Sequence, residues 1–375
     1  MAGTVSERSI LDIGLDSLLL LAGLGLAWAI VSTALVGGDA NPSPSAAPRR
    51  MRQDPLDVAA LRGLGLERER TGQTAEAEAL LSFVGRRTWR DAPTQAWLLR
   101  RRLSQGRLKE AFEIADSIMR QDFLGTTRPA LFGMMTAAAG LVEARPALEA
   151  RLVAAPSWRT DFLQGLEAHG DTAGAVQILG ALAAGETPPK PEEYTLLITR
   201  LVAGGDYGGA YEAWSVVTRR ARMAELGDFS GPSDQTPFTW SVAEGVGATS
   251  EARPSPGGST LRIDYDGFST PRLPARLLVR PAGRWRLTWR ETGEAKATPG
   301  FYWRVRCAAT GQALARSDAA TAPMADPTGW RSRELAFEVP AIGCGGQWLE
   351  LIATPGERRD PVTARYESMK IAALP

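Results

Sequence analysis

The chain contains only one histidine, His169, among its 375 residues. A Ser-His-Asp triad would have to be built on this residue, and a metal site with two histidines is excluded within one chain. The sequence also lacks a glycine-rich phosphate loop, a nucleophile elbow and a cluster of metal ligands. His169 directly precedes a glycine, so we expect it to interact with the dipole at the end of a helix. We predict a non-catalytic protein without a metal site or a cofactor.

Net charge is nearly absent as well. The 43 Lys and Arg residues balance 42 Asp and Glu residues, which leaves a formal charge of +1. This overall charge gives no global reason to expect nucleic acid or an acidic membrane surface as a partner. The apolar content of 44% and the charged content of 23% are typical of a folded protein, and the length is sufficient for two or three domains.

Cysteine is scarce, and both cysteines, Cys307 and Cys344, lie in the C-terminal part of the chain. A lone pair within one domain predicts a disulfide that forms outside the cytoplasm. Two buried free thiols are the alternative interpretation.

Charged residues are missing from one long stretch, residues 17–38, which follows a polar tail over residues 1–16. These 22 residues are enough to cross a bilayer as a helix. A cleaved signal peptide would have a shorter apolar core, a basic head and a small-residue cleavage site. The mixed charge of the tail and the length of the core favour an uncleaved transmembrane helix. A proline-containing linker follows over residues 39–54.

Two opposing signals bear on the orientation of this helix. Arg49, Arg50 and Arg52 follow it, and the positive-inside rule would keep the body of the chain in the cytoplasm. The two cysteines favour export, and large domains translocate despite flanking charge. We therefore predict a single-pass protein of the inner membrane, with the bulk of the chain in the periplasm and the lipid bilayer as a partner of residues 17–38.

Beyond the linker a short phrase recurs: a glycine, an alanine five residues later and an apolar residue four beyond it, as in Gly72, Ala77 and Leu81. The copies that follow are Gly106, Ala111 and Ala115; Gly170, Ala175 and Leu179; and Gly205, Ala210 and Trp214. The first two copies are 34 residues apart. Glycine permits a tight turn after a helix, and alanine lets two helices approach closely. The phrase and its period resemble the tetratricopeptide repeat (TPR), so we predict a TPR-like α-solenoid over residues 55–226.

A TPR array implies a concave groove that binds a protein partner. The repeat register places six residues on or near that groove: Arg62, Glu69, Arg70, Arg100, Gln164 and Glu167. Ordinary solvated surface is the alternative for each of them. Four tryptophans are interpreted as core between repeats: Trp89, Trp97, Trp158 and Trp214.

From residue 227 the period changes from helical to alternating. Apolar residues alternate with polar ones at 261–266, 284–290, 301–307 and 334–339. Alternation of this kind, interrupted by turn signals, predicts an antiparallel β-sandwich over residues 227–375 with one face of each sheet inward. The predicted fold class is multidomain α plus β: a transmembrane helix, a TPR-like solenoid and a terminal sandwich.

The motifs of this region resemble a jelly roll of the carbohydrate-binding-module type. The resemblance rests on an F-x-W at 238–240, PAGRWRLTWR at 281–290, a GW at 329–330 and CGGQWLEL at 344–351. It implies aromatic rings that stack on sugars and polar groups that bind hydroxyls. The aromatic residues on the inward phase are interpreted as core instead: Trp285, Trp289, Phe301 and Trp303. Tyr302, Trp330 and Trp348 remain as glycan-binding candidates.

Arginine occupies the outward phase of these strands. The arginines placed outward are Arg276, Arg280, Arg284, Arg286, Arg290, Arg304 and Arg306. If their strands are neighbours, they form a basic face that recognises the carboxylates of an acidic polysaccharide, with Arg284, Arg286, Arg304 and Arg306 as binding candidates. The alternative is that acidic residues across the strands form ordinary pairs with them.

The predicted function is a membrane-anchored scaffold or recognition protein of the cell envelope, in exopolysaccharide assembly or secretion. The repeats would dock a protein partner, and the sandwich would bind glycan or another subunit. A structural subunit of a membrane assembly without glycan binding is the alternative, and a carbohydrate-active enzyme is a third.

Overall fold

The computed structural model describes residues 47–122, 125–166, 172–218, 226–229, 236–241, 245–255, 258–293, 300–317 and 325–375. The predicted transmembrane segment 17–38, Glu167 and His169 lie outside these residues. None of the helices within the described ranges is long and apolar enough to cross a bilayer.

The chain divides into two compact units, Met1–Pro188 and Pro189–Pro375. The first unit is helical and the second combines a helical hairpin with a β-sandwich, so the architecture is α plus β. The predicted domains, residues 55–226 and 227–375, differ from these units in the position of that one hairpin.

Helices account for the regular structure of the first unit. They are α1 (Ala47–Gln53), α2 (Val58–Arg70), α3 (Thr74–Arg87), α4 (Ala92–Ser104), α5 (Leu108–Gln121), α6 (Arg128–Ala139), α7 (Arg145–Val153), α8 (Arg159–Gly165) and α9 (Thr172–Ala184). Helix α4 begins 34 residues after α2, and α5 begins 34 residues after α3. Successive hairpins at this spacing are consistent with a helical repeat region.

The repeated glycine and alanine form the turns and contacts of these hairpins. Gly72 has a φ of +80°, and the next amide, of Gln73, donates to the carbonyl of Arg68 at 2.8 Å. This hydrogen bond, which spans five residues, satisfies a carbonyl group at the end of α2 that would otherwise have no donor. Ala77 and Leu81 are fully buried in α3, where Leu81 packs against Gly65 of α2.

The tryptophans of the helical region do not all lie in the core. Trp97, Trp158 and Trp214 are buried, whereas Trp89 is 50% exposed, so its prediction as core between repeats is wrong. Trp89 lies after the end of α3, in the connection to α4, where helical spacing no longer determines which way a side chain points.

The second unit begins with helices α10 (Pro191–Ala203) and α11 (Tyr207–Thr218). Nine strands follow in the described residues: β1 (Ala248–Ser255), β2 (Gly258–Tyr265), β3 (Ala275–Leu278), β4 (Gly283–Gly293), β5 (Gly300–Cys307), β6 (Ala313–Arg316), β7 (Arg331–Val339), β8 (Gln347–Thr354) and β9 (Val362–Ala373). The hairpin packs on the sandwich through Phe238, whose ring lies 5.2 Å from Tyr211 and 5.6 Å from Trp214.

The strands form two antiparallel sheets. One has five strands in the order β1-β2-β9-β4-β7, and the other has four in the order β3-β8-β5-β6. Every second side chain of a strand points toward the core. The core therefore contains Leu287, Trp289, Trp303 and Val305. The predicted β-sandwich and its inward tryptophans are confirmed.

A disulfide joins the two sequence cysteines within the sandwich. Cys307 ends β5 and Cys344 precedes β8, with their Cα atoms 5.1 Å apart. Beside it, the buried amide of Gln347 donates to the carbonyl of Cys344 at 2.7 Å. The bond fastens the loop before β8 to the end of its neighbouring strand.

Candidate functional site

The outer face of the four-stranded sheet brings arginines and aromatic rings together. In the register of β5 with β8, Tyr302 lies opposite Ile352, Arg304 opposite Glu350 and Arg306 opposite Trp348. Arg316 of β6 lies opposite Arg304 on the other side of β5. We call the surface made by Tyr302, Arg304, Arg306, Arg316, Trp348 and Glu350 the arginine face.

A single carboxylate, that of Glu350, is held between two guanidinium groups. Arg304 donates to its Oε2 from Nε at 3.1 Å and from Nη2 at 2.8 Å. Arg306 donates to Oε1 from Nη2 at 2.8 Å, and its Nε donates to Oε2 at 3.0 Å and to Oε1 at 3.1 Å. Partial burial by itself would raise the pKa of Glu350, but the hydrogen bonds from Arg306 and Arg304 outweigh it and lower the pKa from its ordinary value of 4.5.

Both arginines keep hydrogen-bonding capacity after this contact. A guanidinium carries five N–H groups, and Glu350 occupies only those on Nε and Nη2. Among the described residues, Nη1 of Arg304 and Nη1 of Arg306 donate to no protein acceptor. Their side chains are 35% and 27% exposed, so these donors lie at the surface.

The third guanidinium of the arginine face belongs to Arg316, which lies 5.9 Å from the centre of the Tyr302 ring. Within the described part of the chain it has no carboxylate partner. Three arginines against one glutamate leave this face with a net charge of +2. Tyr302 and Trp348 are both half-buried and present part of their rings.

On the β3 side, the arginine face ends against the helical hairpin. Leu277 of β3 lies opposite Trp348 but is buried, and its amide donates to the carbonyl of Pro237 at 2.7 Å. Gly346, two residues before Trp348, packs so closely on the ring of Tyr207 that a Cβ there would lie 2.7 Å from it. Trp348 therefore lies between Arg306 of β5 and Leu277 of β3.

The other glycan-binding candidates lie on the five-stranded sheet. Arg284 is opposite Glu338 in the register of β4 with β7, and Nε of Arg286 lies 3.7 Å from Glu334. Trp330 precedes β7, with the guanidinium of Arg290 at 5.5 Å from its ring. The structure thus separates the predicted candidates into two groups on different sheets.

Arg290 is neutralised on that sheet. Its two Nη atoms donate to Glu367 at 2.8 Å and to Asp326 at 2.7 Å. With Arg286 beside Glu334, the arginines of this face form the cross-strand pairs that the alternative interpretation describes. Arg286 and Arg290 are therefore matched by carboxylates, whereas Arg316 of the arginine face has no carboxylate partner in the described residues.

Arg280 is not on either outer face. The alternating pattern predicts that it points outward, but it is 8% exposed and its guanidinium lies 5.4 Å from the ring of Trp285. Desolvation in this site lowers its pKa. The prediction fails because Arg280 follows the end of β3 at Leu278, where alternation no longer applies.

The groove candidates of the helical unit occupy different environments. Arg62 is 6% exposed and forms an ion pair with Asp91, the residue that caps α4, so its side chain is engaged in packing and its place on or near the groove stays a prediction. The pair fastens the start of α2 to the start of α4, which is a packing role.

The remaining groove candidates are closer to solvent. Glu69 and Arg100 belong to α2 and α4 and lie 3.4 Å apart, which places them on a common surface of the first two hairpins. Arg70 is exposed and donates to Glu67 at 2.7 Å and 2.9 Å. Gln164 is half-buried near the end of α8.

No group of three or more His, Cys, Asp or Glu side chains in the described residues is arranged to hold a metal ion. The chemistry of the arginine face is instead that of anion recognition, because guanidinium groups bind carboxylates and phosphates in bidentate geometry.

Sequence reasoning missed Arg316 as part of this face. Its strand, ALAR at 313–316, is too short to show alternation, and only its pairing with β5 puts Arg316 beside Tyr302 and Arg304. The FYWRVRC pattern was the available signal for the rest of the face.

The chain was also compared with known proteins. No protein-family model matches it, and no curated protein matches it. Among solved structures, it is similar to a CBM4 module at 9% identity over 40% of this chain and 99% of that one, with a TM-score of 0.29. It is similar to the CBM22-1 xylan-binding domain from Paenibacillus barcinonensis at 12% identity over 41% and 92%, with a TM-score of 0.26. A carbohydrate-binding module from Cellvibrio mixtus lichenase 5A in complex with cellotriose gives 11% identity over 35% and 91%, with a TM-score of 0.24.

Proposed function

We propose that this chain is a non-catalytic, membrane-anchored recognition protein of the cell envelope whose sandwich binds acidic glycan through the arginine face. The proposal is supported mainly by the arrangement of Arg304 and Arg306 around Glu350, with Arg316 beside them. Two guanidinium groups share one carboxylate, and a third has none in the described residues. The surface therefore has cationic donors in excess of its own acceptors.

The contacts of the Glu350 carboxylate indicate how the arginines could bind a carboxylate of a ligand. Arg306 already binds both oxygens of Glu350 in the bidentate geometry that suits a uronate, and Arg304 donates twice to Oε2. A carboxylate on a ligand can take the Nη1 donors, while Tyr302 and Trp348 supply ring faces for the apolar side of a sugar. The same face would bind a neutral glycan less tightly, because no charge would meet the arginines.

The helical unit is proposed to act as a TPR-like array that docks a protein partner, in exopolysaccharide assembly or secretion. The surface shared by Glu69 and Arg100 is the part of the predicted groove that two hairpins contribute together. Residues 17–38 are proposed as the transmembrane anchor, with the two units in the periplasm.

The glycan proposal is tested by removing the charges of the face without leaving one of them buried and unpaired. We expect the triple variant Arg304→Gln, Arg306→Gln and Glu350→Gln to lower the affinity for polygalacturonate at least tenfold, since charge-assisted hydrogen bonds contribute about 1.5–3 kcal/mol each. Affinity electrophoresis of the full chain in detergent, with polygalacturonate or neutral dextran in the gel, measures the retardation.

The matched control is Arg284→Gln with Arg286→Gln, which removes two arginines from the other sheet. This variant should be retarded like the wild type, and neither form should be retarded by dextran. Equal retardation of the triple variant and the wild type, with near-ultraviolet circular dichroism unchanged, would show that the arginine face does not bind the glycan. Loss of retardation in the control alone would move the site to the five-stranded sheet.

A further inference from the structure

The end of the first helical hairpin carries an unusual combination of exposed side chains. Arg86, Arg87 and Arg90 are all exposed, and none of them forms an ion pair within the described residues. Trp89 lies among them at 50% exposure, and Phe83 lies one turn earlier on α3 at 39%. Residues 83–90 thus combine three exposed arginines, which have no ion pair in the described residues, with two partly exposed aromatic rings.

Further residues lie close to the end of α3 because of how the helices pack. Helices α2 and α3 are antiparallel neighbours joined by the turn at Gly72, so the end of α3 lies beside the start of α2. The ion pair between Arg62 and Asp91 fastens the first turns of α2 to the residue directly after Arg90. Leu56, in the turn that leads into α2, is 44% exposed.

Helix α1 reaches this end of the hairpin from the N-terminal side. Its exposed arginines are Arg49, Arg50 and Arg52. Of these three, Arg50 alone has an acidic neighbour within the described ranges, Asp57 at 4.0 Å. We call the surface made by Phe83, Arg86, Arg87, Trp89, Arg90 and these α1 arginines the basic end.

The acidic residues nearby are engaged in the fold. Asp57 accepts the amide of Ala60 at 2.8 Å, and Asp91 is paired with the buried Arg62. Asp54 accepts the amide of Leu56 at 2.9 Å. Asp91 is matched by Arg62, so the six arginines of the basic end outnumber Asp54 and Asp57 by four charges.

Exposed tryptophan among unpaired arginines fits the headgroup region of an anionic bilayer. Tryptophan prefers the membrane interface because its ring is apolar and its N–H remains hydrated. Arginine binds lipid phosphates in bidentate geometry and buries its apolar stem beside them. Basic clusters next to a membrane are attracted by the negative surface potential of anionic lipids.

The chain length outside the described residues keeps this surface near a membrane. Only residues 39–46, eight residues, separate the proposed anchor from α1. Eight residues span at most about 28 Å when fully extended, so the basic end cannot move far from the bilayer that holds residues 17–38.

We propose that the basic end is a second membrane contact, which docks the first hairpin on anionic phospholipid headgroups beside the anchor. This inference rests on the proposed anchor. It implies that the helical unit is held at a fixed position on the bilayer surface and is not simply suspended from the linker.

The experiment uses the full chain in nanodiscs of phosphatidylcholine alone or with phosphatidylglycerol, each made with acyl chains brominated close to the headgroup. Bromine quenches only tryptophans that reach the bilayer. We expect Trp89→Phe to lose part of the quenchable fluorescence in discs that contain phosphatidylglycerol, but not in pure phosphatidylcholine. Trp330→Phe, on the sandwich, is the matched control: it should lower the total fluorescence and leave the fluorescence lost to bromine unchanged.

A second variant tests the charges separately from the ring. Arg86→Gln, Arg87→Gln and Arg90→Gln together should reduce the quenching of Trp89 to the level seen without anionic lipid, as should 0.5 M salt. If Trp89→Phe loses as much fluorescence to bromine as the wild type in both kinds of disc, the docking proposal is overturned while the anchor stands. If the protein fails to co-elute with discs at all, the anchor fails, and the docking inference fails with it.

Discussion

Gly72 shows how one residue type is required by backbone geometry alone. Its φ of +80° belongs to the left-handed region, and no atom lies within 4 Å of the place where a Cβ would be. Space is therefore available for a side chain, and only the backbone conformation opposes one. Ala155, which follows the cap of α7, has a φ of +48°. Because alanine has a Cβ, this left-handed conformation destabilises the fold at Ala155, as it would with alanine at position 72.

These two positions predict opposite effects of exchanging glycine and alanine. Gly72→Ala should lower the free energy of unfolding by about 1 kcal/mol, because alanine in the left-handed region costs about 1–2 kcal/mol and its stiffer unfolded chain returns a part. Ala155→Gly should raise the stability by up to about 1 kcal/mol for the same reason. Urea unfolding of the full chain followed by circular dichroism at 222 nm measures both.

Gly208, within helix α11, serves as the comparison, since a Cβ there also meets nothing and its φ is not positive. Gly208→Ala should be stabilising. A loss of stability at Gly208 as large as at Gly72 would mean that the left-handed conformation is not the cause.

At the residue scale, the sequence predicts such turn glycines and the alanines that follow them, because both are set by local geometry. It does not predict the environment of Arg62. The repeat register gives the side of the helix on which Arg62 lies, but its partner Asp91 is 29 residues away and belongs to the cap of another helix. Burial of that arginine depends on how two hairpins pack.

Helices α3 and α4 are joined by a polar network around Glu78. This carboxylate accepts hydrogen bonds from Arg101 Nε at 2.9 Å, from Arg102 Nη1 at 2.5 Å and from Gln105 Nε2 at 3.0 Å. Burial by itself would raise the pKa of Glu78, but these hydrogen bonds outweigh it and lower the pKa to about 2. The ionised form is therefore the one that holds the two helices together.

The lowered pKa predicts an acid-sensitive contact between these helices. Its stabilisation is fully present above the ordinary pKa of 4.5 and is lost progressively as the pH falls from there towards about 2. We expect the wild type to lose more stability than Glu78→Gln over this range, since glutamine does not titrate. Urea unfolding of both proteins between pH 6 and pH 3 measures the difference.

Glu113, which is exposed on α5, gives a matched control. Glu113→Gln should follow the wild-type pH dependence. If Glu78→Gln also follows it, the ionisation of Glu78 makes no contribution to the contact.

At the scale of strands, alternation predicts which side chains face the core, as with Leu335, Phe337 and Val339 of β7, which are all buried. It does not predict which strands are neighbours. Arg286 and Arg304 have the same outward phase, but they belong to different sheets because β4 pairs with β7 and β9 whereas β5 pairs with β6 and β8. Strand order depends on long-range pairing, so the single basic face expected from the sequence separates into two surfaces.

The whole molecule combines features with different requirements for their surroundings. The arginine face needs an aqueous space that contains its ligand, the basic end needs a bilayer, and the disulfide needs an oxidising compartment. An exported body behind an uncleaved anchor satisfies all three at once. The arginines after residue 38 oppose this orientation by charge alone, but in the docking proposal they would contact the membrane on the exported side.

The disulfide makes this orientation measurable. Cys307 and Cys344 close a loop of 37 residues, and a loop of that length stabilises the fold by about 4 kcal/mol in the chain-entropy model. We expect neither cysteine to react with an impermeant maleimide in intact cells. Neither should react after the cells are lysed and the protein is unfolded in urea, because the disulfide persists when the fold is lost. After treatment of intact cells with an impermeant phosphine and mild urea, both should react.

Ser332→Cys, in a chain where both native cysteines are serine, provides the control for access. Ser332 is exposed on β7, so this thiol should react from outside in intact cells without reduction. Reaction of Ser332→Cys only after the cytoplasmic membrane is opened, together with free Cys307 and Cys344, would place the body of the chain in the cytoplasm. The cysteines and the arginine face belong to the same sandwich, so the face would then have no access to an envelope glycan. This result would contradict both the proposed ligand and the proposed compartment.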